Sequence, residues 1–216
     1  MPVKNSVHVL VFSGILAMVC AILLYAVTQF TEPLRKINEE TDKDRNFLSA
    51  LGVPIPKNVK PRELLNIFEK NVKIKKIGKI TIYEYIPETS KSGKPIAIAV
   101  PFSGPGFWAP IKGVLAFEPD LLTIRGIRFY QQEETPGLGG EIASKWFQDE
   151  FKGKKIVSKN GEPGFRIVKS GGKSKKANDT NAVDAITGAT RTSERVERML
   201  DKVAKELYKE RKNYVR

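Results

Sequence analysis

The sequence predicts an α+β fold, an antiparallel sheet with packed helices, preceded by one N-terminal transmembrane helix. Three observations carry this. From Val9 to Val27 no residue is charged and most are Val, Ile, Leu, Ala, Met or Phe, and a run of about 20 such residues crosses a bilayer as a helix. Between Lys79 and Tyr130, short β-type segments follow one another with no helical pattern between them, which indicates an antiparallel sheet. From Val196 to Tyr208, apolar residues return at helical spacing among Lys, Arg and Glu.

The elements follow in order. Residues 1–30 hold the span, at about 9–27; a cleaved signal peptide would have a shorter apolar core and a small-residue cleavage site. Residues 31–78 read as a juxtamembrane helical region. Pro33 and Leu34 open a helix with Leu34, Ile37, Phe47, Leu48 and Leu51 toward a core, ended by Gly52. Pro61 suits the first position of a second helix with Leu64, Leu65, Ile67 and Phe68 as its apolar side. Residues 79–216 form the main domain. Its strands are expected at Ile80–Tyr85, Ile96–Val100, Ile111–Phe117 and Leu122–Tyr130, with Glu118-Pro119-Asp120 as a hairpin turn. Glu141–Phe151 reads as a helix with Ile142, Trp146, Phe147 and Phe151 inward, closed by Gly153. Phe165–Val168 is a short strand, Lys169–Asn181 a polar loop, and the chain finishes on the long helix.

Bulk properties narrow the function classes. The 216 residues carry 37 Lys and Arg against 24 Asp and Glu, a net charge of +13. A nucleic-acid module would gather that charge on one element with aromatics placed to stack, whereas here it is spread along the chain, so no nucleic acid is expected as a partner. The surplus reads as solvated faces, helped by attraction to an anionic cofactor or a membrane surface. Cys20 is the one cysteine, so no intrachain disulfide forms. His8 is the one histidine, which removes histidine triads and the commoner zinc sites. No catalytic residue and no metal site is expected; the chemistry belongs to a cofactor, with the protein supplying position and electrostatics.

The most informative stretch is Asp184-Ala185-Ile186-Thr187-Gly188-Ala189-Thr190, followed by Arg191-Thr192-Ser193-Glu194. It sets a hydroxyl, Thr190, among small residues where a helix begins, with Thr192 or Ser193 as caps and Glu194 and Glu197 near the positive end of the dipole. Such a helix start suits a phosphate, because unpaired N–H groups point outward. On these residues alone an ordinary capped helix is the simpler reading.

Asp184-x-x-Thr187-Gly188-Ala189-Thr190 resembles the flavinylation motif of the covalent FMN-binding domain family. Glu134-Thr135-Pro136-Gly137-Leu138-Gly139-Gly140-Glu141 resembles that family's second signature, a loop beside the isoalloxazine ring, and Gly106-Phe107-Trp108 resembles a third. The order of anchor and three motifs resembles the covalently flavinylated, single-span subunits of the sodium-translocating NADH:quinone oxidoreductases, and slightly less well their counterparts in the Rnf electron transport complexes. Two departures stand out: Thr187 where the family more often has serine, and the Lys-rich stretch from Lys169 to Lys176.

The resemblance implies FMN joined through its phosphate to Thr190 by a flavin transferase, since no histidine is at hand to activate the hydroxyl. It implies that Asp184 and Thr187 present the motif, that Gly188 and Ala189 allow close approach, and that Glu134, Thr135 and Gly139 belong to the loop that holds the ring. Leu138 and Trp108 are the implied apolar contacts, although a tryptophan after such a turn is more often core packing. Lys169 is the implied basic residue near the phosphate or ribityl chain. The expected function is electron transfer in a larger membrane complex that moves sodium ions, so the chain is a redox subunit of a translocase, inactive alone. No dinucleotide-binding fingerprint is present. Other subunits of the complex are the expected partners. A stand-alone anchored flavoprotein is a variant, and a non-redox anchored binding module is the rival from another class. Arg35, Lys36, Lys43 and Arg45 after the span favour a cytoplasmic domain by charge, whereas the resemblance implies a periplasmic one on a bacterial inner membrane; the family's location is followed.

Overall fold

The computed structural model describes residues 3–56, 58–90, 93–169 and 180–214. The chain divides into two compact units, Met1–Thr41 and Asp42–Arg216. The described residues of the first are helical throughout. They belong to α1, Val3–Leu51, whose N-terminal part is long and apolar enough to cross a membrane, with its apolar side chains exposed. The helix does not restart at Pro33 as expected from sequence; it runs through it. A proline inside a helix removes one backbone donor and strains the preceding turn, but hydrogen bonds on either side keep the helix continuous. Leu34 and Ile37, expected to face a core, are exposed.

The second unit is built on a five-stranded antiparallel sheet in the order β1-β2-β3-β4-β5: Val72–Ile77, Ile80–Tyr85, Ala97–Pro105, Pro110–Phe117 and Ile124–Gln131. Strand β1 lies in the segment that reads as helical. Its Val-Lys-Ile-Lys-Lys-Ile pattern buries only the two ends, and charge hides the alternation. Both faces of the sheet are covered. Ala97, Ala99, Val114 and Ala116 pack with Phe47, Leu48 and Leu51 from the end of α1 and Leu64 from α2, Pro61–Asn71. Ile98, Val100, Leu115 and Phe117 point the other way, to Val196, Leu200 and Leu207 of the final helix, Thr190–Tyr214. Two covered faces explain why β3 reads as an unbroken apolar run rather than an alternating one. Leu65, placed on the apolar side of α2 by its spacing, is exposed.

Three further elements differ from expectation. Strand β3 continues past Val100 to Pro105, in register with β4 until Pro105 faces Pro110, so Gly106–Ala109 is a tight hairpin loop. The helix expected over Glu141–Phe151 is a 3₁₀ turn, Gly139–Ala143, and a short helix α3, Lys145–Asp149, broken at Ser144 where ψ is 149°. Ile142, Phe147 and Phe151 are buried as expected, but Trp146 is turned outward and donates its indole N–H to Glu141 at 2.9 Å. Finally, Ala182–Asp184 is a strand, β7, parallel to β6, Arg166–Val168. Three residues carry too little pattern to register as a strand in sequence. The final helix, α4, follows it.

Candidate functional site

Topology brings the three sequence motifs to one end of the sheet. The β3–β4 hairpin carries Phe107 and Trp108, and the antiparallel partner β5 ends beside it, Gln131 opposite Lys112, and releases the loop that starts at Glu134. The register slips between Lys112 and Gly113, so β5 carries one extra residue there. The third motif arrives on β7 and turns into α4.

Glu134 ties these segments together. It is buried, and its two carboxylate oxygens face different partners. Oε1 accepts the amides of Phe107 at 2.6 Å and Trp108 at 3.3 Å, while Oε2 accepts the hydroxyl of Thr192, in the first turn of α4, at 2.7 Å. The surrounding glycines are required by this approach. A Cβ on Gly139 would lie 2.5 Å from Thr192 Oγ1 and 2.8 Å from Glu134 Oε2, and one on Gly106 would lie 2.5 Å from Glu134 Oε1. Thr135 completes the link, its hydroxyl accepting the Trp108 indole N–H at 3.2 Å and its carbonyl closing the turn onto the amides of Leu138 and Gly140 at 3.1 and 2.9 Å.

The motif from Asp184 to Thr190 lies against this loop. Asp184 is buried at the end of β7, its amide donating to Glu150 at 3.0 Å. Gly188 has φ +78°, and a Cβ there would sit 2.9 Å from Leu138 Cδ2, so the Leu138 side chain rests on the motif's backbone. Thr187, Gly188 and Thr190 are exposed and Ala189 is buried. Thr190 is the first residue of α4. Neither Thr192 nor Ser193 caps that helix from outside, as the sequence suggests: both lie inside its first turn and are buried. Thr192 holds Glu134, and Ser193 Oγ accepts the Ile186 amide at 3.3 Å.

The resulting surface is apolar and outward-facing. Trp108 is 68% exposed and Leu138 43%, so neither is core packing. The Trp108 ring meets Phe107 edge-on at 5.1 Å, and the Arg191 guanidinium stands 5.8 Å above the Phe107 ring. A flat aromatic ligand fits such a setting: apolar side chains, glycines that let it approach, and a free hydroxyl at a helix start where N–H groups and a cation favour a phosphate. Lys169 follows the last residue of β6, at the strand end where Val168 faces Asp184. It is exposed. The rest of the Lys-rich stretch, 170–179, lies outside the described residues. Sequence reasoning misses the roles of Thr192 and Arg191. A buried threonine in a first turn looks like a cap, and an arginine beside it like solvated charge.

Known proteins resemble this chain in sequence and fold. A family model described as an FMN-binding domain matches residues 106–205, which spans all three motifs. A Na(+)-translocating NADH-quinone reductase subunit from Pasteurella multocida, of the NqrC type, is 26% identical over 83% of this chain and 82% of its own length. The crystal structure of Shewanella oneidensis NqrC matches with a TM-score of 0.65 at 26% identity, covering 83% of this chain and 99% of that one. The corresponding protein from Parabacteroides distasonis matches with a TM-score of 0.65 at 29% identity, over 82% and 94%. With the segments that carry the three motifs tied to one buried carboxylate, and with this likeness in sequence and fold, residues 106–205 match an FMN-binding domain, the chain resembles NqrC-type subunits, and its cofactor is FMN.

Proposed function

We propose that this chain is the flavin-carrying, NqrC-type subunit of a sodium-translocating NADH:quinone oxidoreductase, with FMN joined to Thr190 by a phosphoester. The observation that carries the reading is the position of Thr190: an exposed hydroxyl on the first residue of α4, at the edge of a surface made by Leu138 and Trp108. Bound FMN accepts and passes on electrons at its isoalloxazine ring. The chain's residues hold and orient it. Trp108 and Leu138 supply apolar contact, Gly188 keeps the backbone low beneath Leu138, and the start of α4 with Arg191 favours the phosphate. Lys169 is a further candidate for the phosphate or ribityl chain. Glu134 acts from behind, by fixing the loops.

The hydroxyl of Thr190 needs a base to become a nucleophile, and the chain's one histidine, His8, precedes the span. A separate flavin transferase therefore supplies the base and the flavin donor. The large unit stands on the periplasmic side of a bacterial inner membrane, where the transferase acts, and α1 is the single span. Electrons pass to and from other subunits, since the exposed ring edge of a tethered flavin suits transfer to a docked neighbour. The span from Val9 to Val27 has no charged residue to bind an ion, so sodium movement belongs to the assembly.

The test is made on membranes from cells that express the chain with and without a flavin transferase. The reading expects a flavin-fluorescent band at the chain's mass on a denaturing gel only with the transferase, and co-purification with other subunits of a sodium-dependent NADH:quinone reductase. A band that stays dark with an active transferase, or a flavin-bearing chain that purifies alone, overturns it.

A further inference from the structure

Helix α4 sorts its charges by side. Glu197 and Asp201 face β6 and serve it: Glu197 Oε2 accepts the Ile167 amide at 2.8 Å and Asp201 Oδ1 that of Phe165 at 3.4 Å. On another flank Arg191, Arg195, Arg198 and Lys202 succeed one another at intervals of four, three and four residues, which is one stripe of a helix. None of these four cations has an ion-pair partner among the described residues. Glu197 and Asp201 are engaged on the β6 side, and Glu206 is the one acid that shares a groove with the stripe, so three cations there outnumber one acid.

Beside this stripe, strand β3 runs on past its pairing with β2. Strand β3 pairs with β2 only where Ala97, Ile98 and Ala99 face Tyr85, Glu84 and Tyr83. From Pro101 to Pro105 its other edge is paired to β4, but no described residue of β2 is in register with it. A groove of about 400 Å³ runs between this stretch and α4, with Met199 and the prolines as apolar wall, Arg195, Arg198 and Lys202 as cationic rim, and Glu206 as the one acid. A Cβ on Gly104 would lie 2.6 Å from Met199 Sδ, so the glycine sets how closely helix and strand approach.

Length decides what fits. From Arg191 to Lys202 the stripe rises about 16 Å at 1.5 Å per residue. A lone phosphate meets one or two of these cations. An extended chain covers the same distance in about five residues, with side chains alternating between the rim and the apolar wall. A strand edge with unpaired backbone is a ready partner for such a chain, although Pro101 and Pro105 offer no N–H and confine main-chain pairing to the middle. We propose that this groove receives an extended acidic segment of a partner protein, laid along α4 and ending beside Thr190. The placement puts the partner next to the flavin site and does not depend on the flavin link.

The test uses the full chain in mild detergent and a short fluorescein-labelled peptide of alternating Glu and Val, followed by fluorescence anisotropy. The triple variant Arg195→Glu, Arg198→Glu, Lys202→Glu should weaken binding about tenfold or more, since three favourable pairs become repulsive. Reversing Lys73, Lys76 and Lys159 to Glu makes the same change in net charge elsewhere and should cost less than about threefold at about 0.15 M salt, where distant charges are screened. Ser103→Trp adds no charge but fills the groove from an exposed position, and it too should abolish binding while leaving the unfolding midpoint in place. Equal losses from both triple reversals, or full binding by the Ser103→Trp protein, overturn the proposal. So does displacement of the peptide by inorganic phosphate or short-chain phosphatidylglycerol at the peptide's own concentration, which would make the groove a simple anion or lipid site. The Thr190→Ala protein should bind the peptide as the parent does, so loss of the flavin link and loss of docking are read separately.

Discussion

Replacing Glu134 should loosen the whole site without touching the flavin's attachment point. Glu134 is 5% exposed, and its carboxylate accepts from two amides and one hydroxyl, at 2.6, 3.3 and 2.7 Å. In Glu134→Gln the amide oxygen serves Phe107 and Trp108 only if the NH₂ turns to Thr192, whose hydroxyl must then accept instead of donate. Bonds to a charged acceptor contribute about 1.5–3 kcal/mol and neutral ones about 0.5–1.5, so the change costs about 1–3 kcal/mol. Glu134→Ala leaves the Phe107 amide and the Thr192 hydroxyl without their partner and costs about 3 kcal/mol or more. Urea unfolding of the full chain in mild detergent, followed by circular dichroism, reads both. A cycle with Thr192→Val then isolates the shared bond, with an expected coupling of about 1–2 kcal/mol. Both Glu134 variants within about 0.5 kcal/mol of the parent, or strict additivity in the cycle, would refute the role given to this residue.

Other consequences follow from the same geometry. Gly188→Ala combines a left-handed φ of +78° with a Cβ 2.9 Å from Leu138, so it should cost about 1–2 kcal/mol and change flavin absorbance, since Leu138 must move. An unchanged spectrum would remove Leu138 from the ring's surroundings. Leu138→Glu should leave FMN attached but lower its midpoint potential: a new negative charge beside the ring would disfavour the anionic reduced form, and two unit charges about 4 Å apart in water interact by about 1 kcal/mol, equivalent to about 20 mV for a two-electron couple. A redox titration showing no downward shift counts against that contact. Tyr214 donates to Glu84 at 2.6 Å, and burial, then that carboxylate, raise its pKa above the usual phenol value. The folded pKa lies above the unfolded one, so its stabilisation is full below about pH 10 and is lost as pH rises through the folded value. Tyr214→Phe should flatten the alkaline fall in unfolding midpoint, and equal slopes in the two proteins would show that the pair does not matter.

Strong periodicity and strong chemistry are both legible in the sequence. The α4 stripe of Val196, Leu200 and Leu207 and the β-branched runs of β2 to β5 point the same way at every level, and each marks an element of the expected type, although β3 runs on to Pro105 and β5 begins at Ile124. The three motifs are visible as motifs. Their convergence is not, because it rests on a β-bulge beside Lys112 and on the hairpin at Gly106–Ala109, which involve residues far apart in sequence. The motif resemblance puts Glu134 in the loop that holds the ring, whereas both its oxygens are engaged by protein donors. The alternation in β1 is masked by Lys73, Lys75 and Lys76, and Trp146 is turned outward because Ser144 breaks the helix that would have pointed it inward. In both places tertiary context overrides a local pattern.

The central claim is the phosphoester at Thr190, and intact mass of the denatured protein tests it most directly. The chain is co-expressed with an active flavin transferase and exported, beside its Thr190→Ala variant. The account predicts a gain equal to FMN less one water in the parent, absent from the variant, and assigned by peptide sequencing to the fragment holding Thr187 and Thr190. A gain in neither protein, or the same gain in both, would contradict it.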